Sequence, residues 1–452
     1  MSEPRPAPAD PAREAALEAL LAIERGAPAG SALDRALRAP AAAVDRSLAT
    51  ELVYGVTRRR LSLDAELGTL CNRPLRSLEP GVRAALRLGL YQLRHARTPA
   101  YAAVAQAVAL ARRHGRPGGA GLVNAVLRRA AAAPAPFAGG RDAEALAAAH
   151  SHPAWLVARW LRRLGPQETE ALLQANNLPP QVALRANRLR LDGVRLGAEL
   201  AAAGYAALPG RWLADAVLLD RGGAPGRIAA LAEGRCSVQG EASMLVAAVA
   251  APPAGALCLD VAAAPGGKAT HLAEWMRDRG RVVANDVSAE RVAVCAAAAA
   301  RLGLTCLETR VGDARALPGA FADQCDVVLC DAPCSGLGAL AGRADLRWRK
   351  READIVALAG LQAELIGAAA RCVKPGGLLV YSTCTTEPEE NGAIVTGLLA
   401  RRPDFQPVDL RPRLPAGLAD DPGAAEGWLQ LWPHRHGTEG FFIAALRRGA
   451  TG

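Results

Sequence analysis

The chain has 452 residues, 51% hydrophobic and 22% charged, and its formal net charge of +10 is carried almost wholly by arginine, since lysine stands only at positions 268, 350 and 374. That length exceeds one ordinary core and implies two or three domains, while the basic balance permits an acidic partner such as nucleic acid without requiring one. No apolar run of membrane-spanning length survives the frequent Arg, Gly and Pro, and the opening M-S-E-P-R-P-A-P-A-D lacks the apolar core of a secretory signal, so a cytoplasmic protein with no membrane partner is expected.

Residues 11–130 read as all-helical. Leu17, Leu20, Leu21 and Glu24 follow helical spacing, as do Val82, Leu86, Leu90 and Leu93. Further stripes run through Val104, Val108 and Ala111, and through Leu122, Val123, Val126 and Leu127. Glu79-Pro80 and Thr98-Pro99 mark helix starts. Arginine runs recur between the stripes at Arg58, Arg59 and Arg60, at Arg112 and Arg113, and at Arg128 and Arg129. Any one run could be a solvated helical face; several in one small domain favour RNA contact. The phrases E-L-V-Y-G-V-T-R-R-R, R-A-A-L-R-L-G-L-Y-Q-L-R, P-A-Y-A-A-V-A-Q-A-V-A-L-A and G-L-V-N-A-V-L-R-R resemble the antitermination factor NusB. That resemblance implies an all-α, NusB-like, RNA-binding domain over residues 1–130.

Residues 131–140 are rich in Ala, Pro and Gly and read as an interdomain linker, taken to extend to 150. A helical segment follows from His152. Its Trp155 and Trp160 could stack on bases, though packing is the commoner role. From residue 178 the character changes. V-A-L-R-A-N-R-L is a strand candidate, residues 196–203 a helix ended by Gly204, Pro209-Gly210 a loop, and Ala216–Leu219 a second strand.

From about 234 strands and helices alternate, which argues a parallel, doubly wound α/β sheet. Strands are predicted at 257–261, 281–286, 306–311, 326–330 and 378–382, with a final hairpin from 428–432 and 441–446. Lys374, just before P-G-G, is expected to end a helix, where a cation suits the dipole. The first strand runs into the glycine turn Ala262, Ala263, Ala264, Pro265, Gly266, Gly267 and Lys268. Such a turn lets backbone approach a ligand, but it is neither G-x-G-x-x-G nor a Walker loop, which disfavours phosphate. Asp286, at the second strand tip, suits ribose hydroxyls, and Asp313, at the third, could accept from an adenine amino group. Each alone could be a cap or a turn. Together they suggest a bound adenosine without a pyrophosphate, which S-adenosyl-L-methionine satisfies.

Two further apolar strands, in C-D-V-V-L-C-D-A-P-C-S-G and G-L-L-V-Y-S-T-C-T, deliver Asp331 and Cys334, and Cys384, to their carboxyl ends. Ligands of open α/β sheets bind at those ends. The ten cysteines include no C-x-x-C pair, and histidine is sparse, so reduced thiols and no metal site are expected.

In this order D-V-A-A-A-P-G-G-K, D-A-P-C-S-G and Y-S-T-C-T resemble the RNA cytosine-5 methyltransferases of the NOL1/NOP2/Sun family, and the helical N-terminal domain narrows the likeness to its bacterial Sun type. V-Q-G-E-A-S at 238–243 matches the approach to the family's first strand; Ala262 stands where Cys is common and Gly240 where Asp is common. The resemblance implies a multidomain chain. Residues 151–233 would form a small α+β, RNA-recognition-like subdomain, with Arg185, Asn187 and Arg188 as candidate RNA contacts. Residues 234–452 would form a Rossmann-like, S-adenosylmethionine-dependent methyltransferase domain. It implies methylation of carbon 5 of a cytosine in 16S rRNA, free or in an early assembly intermediate, by a monomer. It assigns Cys384 as nucleophile, Cys334 to the release step, Asp331 to the cytosine edge and the methyl donor, and Lys268 to orientation. A transfer-RNA methyltransferase, or a non-catalytic RNA-binding factor, is the competing reading.

Overall fold

A computed structural model describes residues 9–38, 45–133, 140–220, 226 and 228–450. Of the expected linker 131–150, residues 134–139 lie outside them, and Ala143–His150 is a helix instead of linker. Contacts divide the chain into two units: residues 1–178 with 340–350, and residues 179–339 with 351–452.

The first unit is helical. Pro11–Glu24, Ala29–Ala36, Arg46–Leu70, Pro80–His95, Ala100–His114 and Gly119–Ala132 are followed by Ala143–His150 and Ala154–Ala175. Asp10 caps the first helix by accepting from Ala12 and Arg13, and Pro80 starts the fourth, where its missing N–H costs nothing. The apolar stripes meet in one core that includes Leu17, Leu20, Val56, Leu86, Leu90, Leu110, Val123 and Leu127. Gly55 is required there, because a side chain would run into the Tyr91 ring.

Segment 340–350 belongs to this unit. Arg347 is fully buried and donates to the carbonyls of Ser151 (3.0 Å) and Asn176 (3.0 Å) and to Asn177 Oδ1 (2.9 Å). Trp348 Nε1 donates to the Thr57 carbonyl at 2.7 Å. The same packing overturns part of the expected RNA face. Arg58 is buried and donates to the Ala341 carbonyl, while Arg60 lies 4.2 Å over the Trp348 ring, and burial pushes its pKa down to about 10. Arg112, Arg113, Arg128 and Arg129 are exposed. Trp160 is a core residue, edge-on to His152, and Trp155 is half-buried.

The second unit carries two sheets. The smaller is antiparallel, four-stranded, in the order β2-β3-β1-β4: β1 Val182–Ala186, β2 Ala207–Pro209, β3 Ala216–Leu219 and β4 Cys236–Val238. Helix Gly193–Ala202, capped by Asp192, packs on it through Leu196 and Leu200, opposite Leu184, Val217 and Leu219. Arg185 and Asn187 are corrected here: both are fully buried, so neither can touch RNA. Asn187 donates to the carbonyls of Gly234 and Leu302. Arg188 pairs with Asp215 at 3.0 Å and lies over the Trp275 ring.

The larger sheet has eight strands: β5 Leu257–Asp260, β6 Arg281–Asp286, β7 Leu307–Val311, β8 Cys325–Asp331, β9 Val373–Thr383, β10 Phe405–Pro407, β11 Trp428–Leu431 and β12 Phe441–Arg448. Its order is β10-β12-β9-β8-β5-β6-β7, with β11 also on β12. The β7-β6-β5-β8-β9 core is parallel, and β12 runs antiparallel to β9 and β11, so the expected hairpin is present. The chain leaves β5 towards β6 and returns to β8 on the other side, which opens a crevice at the carboxyl ends of β5 and β8. β9 begins at Val373, so Lys374 sits in a strand and pairs with Asp326 instead of ending a helix. Among the described residues one helix, Glu352–Cys372, is long and apolar enough to cross a membrane, contrary to the expectation that none would be. Its Leu365, Ile366 and Ala369 join the core over β8 and β9.

Candidate active site

Asp260 ends β5 and the glycine turn follows, with helix Gly267–Trp275 beyond it. Gly266 has φ +99°, a left-handed conformation that glycine takes without strain, and a Cβ there would lie 3.1 Å from Cys295 Cα. Asp286, at the tip of β6, is 3% exposed; it accepts from the backbone N–H of Ala264 (3.3 Å) and of Ser288 (3.2 Å). Its carboxylate therefore fastens the glycine turn to the next strand, with lone pairs left for a further donor. Val287 follows and is 72% exposed, an apolar side chain standing in the open beside the acid. Asp313, beyond β7, is half exposed and forked by Arg315, whose hydrogen bonds hold its carboxyl below the usual range.

Asp260, Lys268 and Asp331 form one charged cluster. Asp331 Oδ2 accepts from Lys268 Nζ at 2.6 Å and Oδ1 from Ser382 Oγ at 2.7 Å. Asp331 and Ser382 are register partners in the parallel pair of β8 and β9, so both side chains leave the sheet on one side. Burial alone would lower the pKa of Lys268, but Asp331, then Cys384 and Asp260, outweigh it and hold the ammonium charged. Asp260 is fully buried, and burial, then the charge of Asp331, pushes its pKa up to about 8. Among the described residues its Oδ2 has no donor.

The two cysteines meet. Cys334 lies on the turn after β8 and Cys384 directly follows β9; their sulfurs are 3.3 Å apart and both residues are half-buried. The pKa of Cys334 stands well above a free thiol, through its hydrogen bond to Cys384, then burial, the charge of Cys384, and the nearby Glu390 and Asp331. Cys384 in turn lies within the field of the Lys268 ammonium. Every residue singled out in the turn, at Asp286 and in the Asp331–Cys334–Cys384 group therefore falls at the carboxyl ends of β5, β6, β8 and β9. Asp313 lies farther along the sheet edge.

Sequence reasoning missed the buried polar shell behind the cysteines: Ser335, Gln362, Glu390 and Asn391 are all at most 2% exposed. The signal available was an acid-rich E-P-E-E-N directly after the second cysteine motif. It also misassigned Arg185 to RNA, whereas its guanidinium donates to the carbonyl of Gly267 at 2.7 Å.

The family described as 16S rRNA methyltransferase RsmB/F matches residues 247–447, the NusB family matches 10–132, and the ferredoxin-like domain of RsmF/B-like methyltransferases matches 152–224. A probable ribosomal RNA small subunit methyltransferase B from Bacillus subtilis is 37% identical, covering 96% of this chain and 98% of its own. One of the same name from Synechocystis sp. is 38% identical, covering 92% of this chain and 94% of its own. The crystal structure of PH0851 is 30% identical and superposes with a TM-score of 0.82 over 99% of this chain and 100% of its own.

Proposed function

The chain belongs to the RsmB/F family of 16S rRNA methyltransferases, and from that premise we propose that it methylates carbon 5 of a cytosine in 16S rRNA through a covalent Cys384–carbon 6 adduct. The observation that carries this reading is the 3.3 Å approach of Cys334 and Cys384 beside the Lys268–Asp331 pair.

The turn suits S-adenosylmethionine. The unpartnered, buried oxygen of Asp260 can take an ammonium, Asp286 a ribose diol, and exposed Val287 the face of a base. When bound, that cofactor supplies an electrophilic methyl group to carbon 5. The chain's own residues must make carbon 5 nucleophilic. The Cys384 thiolate forms a bond to carbon 6, and the electron pair of the 5,6 double bond is released into the ring as nitrogen 3 takes a proton passed from Lys268 through Asp331. Lys268 favours the thiolate at Cys384, and Asp331, held by Lys268 and Ser382, takes the cytosine edge. A base inside structured RNA must leave its stack to reach this crevice.

Release removes the carbon-5 proton, restores the 5,6 double bond, expels Cys384 as a thiolate and returns the nitrogen-3 proton to the Lys268–Asp331 pair. Cys334 serves this step, and the geometry gives it a timing. Its largest upward pull is the hydrogen bond to Cys384. Once Cys384 is a neutral thioether, that bond and the charge behind it are gone, and Cys334 gives up its proton to solvent more readily. It is then available as a thiolate when the carbon-5 proton must be taken.

A denaturing gel of wild type, Cys334→Ala and Cys384→Ala with 16S transcript and S-adenosylmethionine tests the assignment. A protein–RNA adduct surviving only in Cys334→Ala is expected. An adduct in Cys384→Ala instead would exchange the two roles.

A further inference from the structure

Each cysteine is bracketed by side chains that converge on one dipeptide. Cys334 lies between Pro333 and Ser335. Glu390 Oε1 accepts from the Ser335 backbone N–H at 2.8 Å, and Oε2 accepts from Ser335 Oγ. Gln362 Nε2 donates both to Glu390 Oε1 (3.0 Å) and to the Pro333 carbonyl (2.9 Å). Cys384 lies between Thr383 and Thr385. Asn391 Oδ1 accepts from Thr383 Oγ1 at 2.6 Å, and its Nδ2 donates to the Thr385 carbonyl at 3.1 Å. Ser335 Oγ and Thr385 Oγ1 are 2.9 Å apart and join the two brackets, and Tyr381, on β9, donates to the Glu390 carbonyl at 2.7 Å.

Resting on the cysteine roles above, we propose that Glu390 and Asn391 are positioning residues for the reaction: Asn391 fixes the Cys384 turn, and Glu390 fixes the Cys334 turn and sets its carboxylate beside that sulfur. The shell is buried throughout, so a misplaced partner cannot be replaced by water without cost. These donors to the Glu390 carboxylate are neutral, which leaves its negative charge to act on Cys334 at the next residue. On the other side of the pair stands the Lys268 ammonium, acting on Cys384. The two sulfurs are chemically alike, and this difference between their surroundings makes one a nucleophile and the other a proton carrier.

Glu390→Gln keeps the shape of the side chain and removes its charge. The test follows alkylation of Cys334 and Cys384 against pH by peptide mass spectrometry, with calorimetric S-adenosylmethionine affinity as the check on folding. The expected result is unchanged cofactor affinity, Cys334 labelling shifted about one pH unit lower, and a kcat at least tenfold down with KM for the cofactor unchanged. An unshifted Cys334 profile in a variant that binds cofactor normally overturns the proposal. Should that variant fail to fold, Ser335→Ala keeps the carboxylate and loosens only the bracket. At least threefold slower release of the RNA adduct is expected from it, and unchanged release overturns the proposal. In a Cys334→Ala background Glu390→Gln is expected to leave adduct formation unchanged, whereas Asn391→Ala slows it. If Cys334→Ala alone traps no adduct, the cysteine roles fail, while the labelling profile still decides Glu390.

Discussion

Arg185 and Glu274 form an ion pair, 2.6 Å between Nη2 and Oε1, with both side chains fully shut off from solvent. Arg185 belongs to β1 of the small sheet, and Glu274 to the helix that follows the glycine turn. The same guanidinium donates to Thr270 Oγ1 at 3.1 Å and to Gln239, as well as to the Gly267 carbonyl. A strand expected to face RNA instead holds the helix that follows the glycine turn.

Arg185→Ala leaves Glu274 charged and buried without its cation. Burial already raises the Glu274 pKa against the pull of Arg185. Breaking such a pair from one side costs about 3–5 kcal/mol, whereas replacing both partners by apolar residues is often close to neutral. Urea unfolding is expected to show that loss for Arg185→Ala and a clearly smaller one for Arg185→Met combined with Glu274→Met. A single-variant loss below about 1 kcal/mol would contradict a tightly coupled pair.

Asp260 makes stability depend on pH in an unusual direction. Its folded pKa of about 8 exceeds the unfolded value near 3.8. Between these the folded state binds more protons than the unfolded one, so stability falls as pH rises. The contribution is complete below about pH 4, fades through the interval, and is gone above about pH 8, with a slope of about 1.4 kcal/mol per pH unit where one proton is exchanged. Asp260→Asn mimics the protonated acid. Denaturation at pH 5.5 to 8 is expected to show a shallower decline for that variant than for wild type; parallel curves would mean that Asp260 is ionised in the fold.

The parts of this molecule that sequence reveals are those fixed by local rules. Arg281–Asp286 and Ala216–Leu219 coincide with their predicted limits because apolar β-formers there are bounded by Gly, Pro or charge. The glycine turn and the two cysteine tips were legible because strand ends concentrate ligand chemistry. Arg185 and Arg347 were not, since arginine in a strand or short helix reads as solvated unless the far acceptors are known. Lys374 misled because P-G-G resembles a helix stop, whereas β9 runs through it to pair with β8. Glu390 was not singled out, because its role depends on Ser335, which is distant in sequence.

Asp286→Ala removes two backbone hydrogen bonds to a carboxylate and the proposed ribose acceptor together. Charge-assisted bonds contribute about 1.5–3 kcal/mol each. Calorimetry is expected to give at least a tenfold weaker affinity for S-adenosylmethionine, with Asp286→Asn between the two. Equal affinity in wild type and Asp286→Ala would remove the ribose assignment.

Arg347 offers a test of the helical unit. It is buried among carbonyl oxygens, and burial, followed by the charges of Arg58 and Arg59, draws its pKa far down. Arg347→Met strands several acceptors at once, and each unsatisfied group costs about 1–3 kcal/mol before relaxation. Unfolding of the first unit is expected to move to lower denaturant, with Arg347→Lys intermediate because an ammonium offers three donors where a guanidinium offers five. An unchanged midpoint for Arg347→Met would mean that segment 340–350 is not pinned by this side chain.

That packing also decides how the RNA role of the helical unit must be tested. Deleting residues 1–130 removes Thr57, which accepts from Trp348, Arg58, which donates to Ala341, and Arg60, which stacks on Trp348, so a loss of activity would mix lost folding with lost binding. Charge reversal on the exposed helices avoids this. Arg112 and Arg128 both face solvent. Each phosphate contact contributes about 0.7–0.9 to the slope of log affinity against log salt. Arg112→Glu with Arg128→Glu is expected to weaken binding of 16S transcript at low salt and to flatten that slope by about 1.5, while cofactor affinity and the denaturation midpoint stay at wild-type values. An unchanged slope would take these two arginines out of the RNA interface.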